Sequence, residues 1–178
     1  MEDIQGTAEP ECTFIILDAA KWDQGCPEEA CMVGDVNLFI VDPKNPSLAE
    51  IEIMIAEPES RGRGFGEESV RLMLFYGVSF LGMSTFQAKI GHENIQSIRL
   101  FEKFNFQEVS FSSVFQELTL QWKVTEEEGQ LLLNTGVMKP SQCHPYEHAP
   151  DLAHSLMCQP PTGIAEAPDC KLLHVLVI

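Results

Sequence analysis

Gly62, Gly64 and Gly66 fall in the run Arg61-Gly62-Arg63-Gly64-Phe65-Gly66, between a strand-like segment and a helix-like one. Residues of this kind at this spacing suit the binding of an anion. The first amides of a helix have no acceptor within it, and the aligned peptide dipoles add partial positive charge there. Glycine turns the backbone tightly and lets an anion approach with no Cβ in the way. Strand, glycine turn and helix start together make a seat for a pyrophosphate-bearing ligand. The run is not a P-loop, because no Gly-Lys-Ser/Thr closes it. It is not the dinucleotide fingerprint either, because Glu67 stands where GxGxxG requires glycine. A glycine-capped surface turn would use the same residues, so the hexamer alone leaves both readings open.

A second block follows the next strand-like segment, running from Asn94 through Ser97, Phe101 and Lys103 to Phe106. The two blocks stand in the order and at the separation found in one family. Arg61-x-x-Gly64-x-Gly66 resembles the R/Q-x-x-G-x-G/A motif of the GNAT acetyltransferases, and residues 94–106 resemble the Asn-to-Phe helix motif of the same family. The likeness spans about residues 12 to 125. It implies an α/β fold of GNAT type, a mixed and mostly antiparallel sheet with flanking helices. It implies acetyl-coenzyme A as co-substrate and no metal.

The resemblance also implies roles. Amides at Arg63, Gly64 and Gly66 would hold the pyrophosphate, within a cofactor segment that includes Arg61, Gly62 and Phe65. Met54 and Ala56 would pair with the pantetheine amides as if adding a strand, and an amide near Met54 or Ile55 would polarise the thioester oxygen. The Asn94 side chain would reach the pantetheine arm, with Ser97 positioning its helix. The implied reaction is transfer of an acetyl group to a protein amine, expected to be an N-terminal α-amino group, with tubulin the expected acceptor. The alternative is a non-catalytic interaction protein, for example one that associates with microtubules.

Three departures from the family pattern stand out. Phe101 replaces a frequent tyrosine and has no proton to give the leaving thiolate. Asn105 replaces a glycine, and asparagine tolerates the left-handed conformation a turn needs there. The strand and helices that precede residue 12 in the family are expected to be missing, which would expose apolar core on that side.

Transfer to an amine needs a base, since an ammonium has no lone pair with which to attack. Glu52 is the first candidate and Glu50 the second, and either could instead be an exposed strand carboxylate. His92 lies near Asn94 but reads more simply as a loop histidine.

Several elements must position these residues. Cys12–Leu17 and Met32–Val41 read as strands paired in a hairpin, with Lys21–Ala30 a loop between them. Asp42–Ser47 is a turn by its prolines, Asp and Asn. Glu50–Ala56 alternates, with Ile51, Ile53 and Ile55 on one face and Glu50, Glu52 and Met54 on the other. Apolar residues at helical spacing predict a helix over 66–81, then a strand over 85–90 and a helix over 95–104 with Ile98, Phe101 and Phe104 inward. Residues 106–111 and 114–125 read as a closing antiparallel hairpin. Residues 1–11 read as a flexible N-terminus, 12–135 as the domain, and 136–178 as a disordered or loosely docked tail. The apolar run 172–178 could be an edge strand, a docking segment or an aggregation-prone stretch.

Composition sets the outer limits. The chain has 178 residues, enough for one domain with a core. A net charge of −16 argues against nucleic-acid binding, which needs a basic surface. It also demands that an anionic ligand meet locally placed cations, and Arg61, Arg63, Lys89, Arg99 and Lys103 fall in the proposed segment. No apolar run approaches the roughly 20 residues of a membrane span, and the acidic start is unlike a signal peptide. Six cysteines form no CxxC pair, which points to free thiols in the cytoplasm rather than metal ligands.

Overall fold

The computed structural model describes residues 11–135, 143–145 and 173–178. The first ten residues and most of the expected tail, 136–142 and 146–172, lie outside the described residues. The chain runs β1 (Glu11–Leu17), α1 (Ala19–Asp23), α2 (Glu28–Cys31), β2 (Met32–Ile40) and β3 (Leu48–Ile55). A 3-10 turn at Pro58–Ser60 leads to α3 (Phe65–Ser79), β4 (Thr85–Gly91) and α4 (Ile95–Glu102). Then come β5 (Gln107–Ser112), β6 (Glu117–Lys123), α5 (Glu126–Thr135), β7 (Cys143–Pro145) and β8 (Leu173–Val177).

The eight strands form one sheet in the order β5-β6-β4-β3-β2-β1-β8-β7. Only β3 with β4 and β1 with β8 pair in parallel; the other neighbours are antiparallel. Strand alternation gives the sheet two unlike faces. Cys12, Phe14 and Ile16 of β1, Val36 and Leu38 of β2, Ala49 and Ile51 of β3, and Phe86, Ala88 and Ile90 of β4 enter one buried cluster with Leu120 and Trp122 of β6. Helix α3 adds Val70, Met73 and Leu74 to that cluster, and α4 adds Phe101. The alternate residues, among them Thr13, Asn37, Glu50, Glu52, Gln87 and Lys89, make the other face polar.

Two close approaches shape this core. A Cβ at Gly77 of α3 would fall 2.7 Å from the Phe86 ring, so glycine lets the helix settle onto the sheet. A Cβ at Gly34 of β2 would run into the Met54 carbonyl oxygen. That contact is backbone, and nothing there can swing aside.

The structure departs from the sequence expectations at three places. Lys21–Ala30 is not a plain loop. Asp18 caps α1 by accepting the Ala20 amide at 2.9 Å, and Pro27 opens α2 ahead of the acidic turn Glu28–Glu29. The second strand of the closing hairpin, β6, begins at Glu117 rather than 114, because Gln116 takes a left-handed turn at φ 55°. The apolar run near residue 178 contains β8, which is not an edge strand but lies between β1 and β7. It covers the side of β1 that was expected to expose core, and Ile178 donates to the Leu17 carbonyl at 3.0 Å.

Gly34→Ala is expected to cost about 1–3 kcal/mol, the range for an overpacked core position with no flexible neighbour. Chemical denaturation measures it, and an unchanged midpoint would contradict the β2–β3 packing described.

Candidate functional site

The parallel pairing of β3 and β4 lasts three rungs, Leu48↔Thr85, Ala49↔Phe86 and Glu50↔Gln87. Beyond Glu50 the strands part. The gap is walled by Ile51, Glu52 and Ile53 on one side and residues 88–91 on the other, with Asn94, Ser97 and Phe101 of α4 beside it. Strand β3 therefore presents an unpaired edge inside the sheet.

Which residues offer backbone groups to that edge follows from the β2–β3 register. The Ala56 amide donates to the Val33 carbonyl at 2.8 Å, and the Met54 carbonyl lies against Gly34, so both residues turn toward β2. Backbone direction alternates along a strand, so Ile53 and Ile55 turn to the gap. The Ile55 carbonyl agrees, accepting Arg61 Nε at 2.9 Å from the side away from β2. Of the three strand residues named from sequence, Met54 and Ala56 thus turn backbone groups toward β2, and Ile55 turns its own toward the gap.

At the wide end of the gap lies the glycine turn. Gly62 has φ 71° and Gly64 φ 100°, conformations that L side chains rarely adopt. A Cβ at either position would meet nothing within 4 Å, so the space over the turn is open. Gly64 is the N-cap of α3 and has no side chain to cap it. The Glu68 amide is bonded to the Gly64 carbonyl at 3.0 Å, so the amides of Phe65, Gly66 and Glu67 precede the first intrahelical bond. The Phe65 side chain is itself buried and anchors the helix start. Gly66 sits over the gap, its nearest neighbours being Leu100, Ile53 and Ile55 at 3.6–3.9 Å from a built Cβ.

Four cations of the segment, Arg61, Arg63, Lys89 and Lys103, have partners within the protein. Arg61 braces the turn through the Ile55 and Ala56 carbonyls. Arg63 lies 3.4 Å from the buried Asp18 and 5.2 Å over the Phe65 ring. Lys103 of α4 binds Glu67 in the first turn of α3 at 2.7 Å, and Arg71 reaches the same carboxylate at 3.3 Å. The hydrogen bond and charge of Lys103 hold the Glu67 carboxyl below the usual carboxylate range. Asp18 and the Glu67–Lys103 tie were not singled out from sequence. Their partners lie 45 and 36 residues away, and no local pattern links them.

Asn94 caps α4, its Oδ1 accepting the Ser97 amide at 3.1 Å, which leaves Nδ2 as the donor its side chain can offer. The two glutamates differ sharply. Glu50 is 6% exposed, and its Oε2 accepts from Gln87 Nε2 and Lys89 Nζ, each at 2.8 Å. Glu52 is exposed and lines the gap. Phe101, 2% exposed, packs edge-on against Phe106 at 5.0 Å. Asn105 takes φ 63°, as its tolerance of that region allows. His92 is tied to the Gln116 carbonyl through Nδ1 at 3.1 Å and joins the end of β4 to the β5–β6 hairpin. Among the described residues no group of His, Cys, Asp and Glu could hold a metal, and no helix is long and apolar enough to cross a membrane.

Comparison with known proteins accords with this geometry. A family model described as an acetyltransferase (GNAT) domain matches residues 2–107. Human alpha/beta-tubulin-N-acetyltransferase 9 is 57% identical over 125 residues, covering 69% of this chain and 60% of that protein. An N-acetyltransferase 9-like protein of Nematostella vectensis is 54% identical over 115 residues, covering 64% of this chain and 58% of that protein. The chain thus spans about 60% of the length of these relatives. Among solved structures, a spermidine N-acetyltransferase chimera from Vibrio cholerae and hSSAT superposes with a TM-score of 0.53. It is 22% identical and covers 72% of this chain and 75% of that one, a likeness of fold.

The Glu67–Lys103 tie has a pH signature. A carboxyl lowered in the folded state contributes stability that is full above its unfolded value and fades as pH falls through the folded one. Both side chains are partly exposed, so the contribution is under about 1 kcal/mol. Glu67→Gln and Lys103→Met are each expected to flatten the acid limb of stability against pH; a limb as steep as in the parent would exclude the tie.

Proposed function

This chain belongs to the GNAT acetyltransferase family, and from that premise we propose that it transfers an acetyl group from acetyl-coenzyme A to a protein amine. The observation that carries the reading is the continuity of two features. A gap with a strand edge free for pairing leads directly to an uncapped helix start. The open space over Gly62 and Gly64 suits a pyrophosphate, and the backbone groups of Ile53 with the amide of Ile55, whose carbonyl Arg61 occupies, suit the amides of a pantetheine arm.

In this mechanism the amides of Arg63, Gly64, Phe65 and Gly66 bind the diphosphate, and Asn94 Nδ2 contacts the arm. The bound thioester supplies the activated acetyl group. A backbone amide of β3 facing the gap, at Ile53 or Ile55, stabilises charge on the thioester oxygen. Glu52, or a water it orders, takes the proton from the attacking amine. Phe101 offers no proton, so the thiolate departs on its own stability.

We assign the acceptor as a protein N-terminal α-amine, that of tubulin. The support is the name of the human relative, an alpha/beta-tubulin-N-acetyltransferase. An α-amine has a reference pKa near about 8, within reach of a weak base such as a carboxylate or ordered water. We place the protein in the cytoplasm, where Cys12, Cys26 and Cys31 would persist as free thiols. Phe101 favours a second reading, a binding protein that contacts microtubules without turnover.

Binding and turnover separate the two. Acetyl-coenzyme A at 100 times its Kd is expected to stabilise the folded chain by about 2.7 kcal/mol, read as a raised Tm. Gly64→Ala, strained by about 1–3 kcal/mol at its positive φ, is expected to weaken that binding roughly tenfold. Glu52→Ala is expected to keep the thermal shift while slowing acetylation of an N-terminal tubulin peptide about a hundredfold, followed by mass spectrometry. A folded sample with no shift would reject both cofactor binding and transfer. A full shift with no transfer by the parent chain would select the second reading.

A further inference from the structure

At the last rung before the gap, the polar face of the sheet carries a buried carboxylate. Glu50 stands opposite Gln87, and one of its oxygens is bonded both to Gln87 and to Lys89, one step farther along the same face of β4. Burying a carboxylate is costly unless it is paired and hydrogen-bonded, so such a group persists where its partners hold it. Its position is specific. Lys89 already belongs to the part of β4 that lines the gap, where backbone bonds to β3 have ceased.

From this we infer that Glu50, Gln87 and Lys89 form a side-chain rung that fixes where β3 and β4 part, and so sets the width of the gap at its closed end. The inference rests on reading the gap as the acetyl-coenzyme A cleft. Backbone pairing alone does not fix that point. One more rung would close the gap at Ile51, and one fewer would part Glu50 from Gln87 and bring the fork up to the buried positions Ala49 and Phe86. The double contact bears on both errors. The Gln87 bond ties the last paired position, and the Lys89 bond holds β4 at a side-chain distance beyond it. Glu50 is thus a positioning residue. It governs how the thioester end of the arm sits relative to Glu52, two residues along the same face. The pyrophosphate turn, at the far end of β3, is independent of it.

That separation sets the test. Glu50→Ala, Glu50→Gln and Lys89→Met would be compared with the parent for folding, acetyl-coenzyme A affinity by calorimetry, kcat, KM and amide hydrogen exchange. A misplacement on the order of 1 Å costs about a hundredfold in rate, so Glu50→Ala is expected to lower kcat by about that factor. Its calorimetric Kd should stay within about threefold of the parent, because the diphosphate seat is untouched. Glu50→Gln, which keeps a bond to Gln87, should recover part of the rate. Combining Glu50→Ala with Lys89→Met should be no worse than Glu50→Ala alone. Faster exchange is expected at Ile51 and Ala88 but not at residues 62–66. Should Glu50→Ala fail to fold, Glu50→Gln and Lys89→Met provide the same readouts. Unchanged kcat and unchanged exchange at the fork in folded variants would overturn the rung, as would fully additive rate losses. If the parent itself failed to bind acetyl-coenzyme A, the proposed function would fall, while exchange at the fork would still decide the rung.

Discussion

A strand edge left unpaired in the middle of a sheet is the constraint around which this domain is organised. Elsewhere β3 is held by β2 over seven register positions, yet toward β4 its pairing stops at Glu50. Unpaired backbone groups are expensive when dry and invite another strand when wet. The fold manages this edge from three sides. Arg61 occupies the Ile55 carbonyl at the open end. Helix α4 brings Phe101 beside the gap, and Glu50 bonds across its closed end. What remains is an edge with room for an extended ligand and a helix N-terminus at its mouth. An extended arm bearing amides and a diphosphate would satisfy both.

The electrostatics follow a similar economy. An anionic ligand entering a chain of net charge −16 needs compensation nearby. The cations at the turn are engaged by the protein, Arg61 by carbonyls, Arg63 by Asp18 and Lys103 by Glu67. Their first effect is therefore geometric. Arg63 ties the turn to the end of β1, and Lys103 ties the first turn of α3 to α4. On the proposed reading, anion recognition then falls to the amides at the helix start, which carry no counter-charge and cannot be titrated away. Because Arg63 is about half exposed, its charge still reaches the space above the turn.

Much of this was legible in the sequence where the cause is local. The glycine turn can be read because conformations at Gly62 and Gly64 demand that residue type, and α3 because Val70, Met73 and Leu74 recur at helical spacing. The alternation of β3 shows which side chains share a face. It does not show which backbone groups face β2 and which face β4. That phase depends on the β2–β3 register, in which Gly34 meets Ile55, and the alternation of side chains alone does not supply it. Asp18 eluded the sequence because its partner is 45 residues away, and the short helices α1 and α2 because caps, not periodicity, define them. The apolar run ending at Ile178 was visible, but its partner strand was not. Parallel addition to β1 is a tertiary choice that the run's own pattern does not encode.

The inequality of Glu50 and Glu52 shows how the fork divides labour between residues of one type. Both project to the polar face of β3, and by sequence either could remove a proton. Glu50 stands where the strands still touch, so its carboxylate is enclosed and accepts from both an amide and an ammonium. One of its oxygens is thereby committed to holding Gln87 and Lys89 in place. Glu52 stands two residues on, where β4 has turned away and solvent reaches the side chain. On the proposed reading the same divergence that makes room for the arm also exposes the carboxylate that serves it. On that reading the departure of β4 sets both where the arm would lie and which glutamate would act on it.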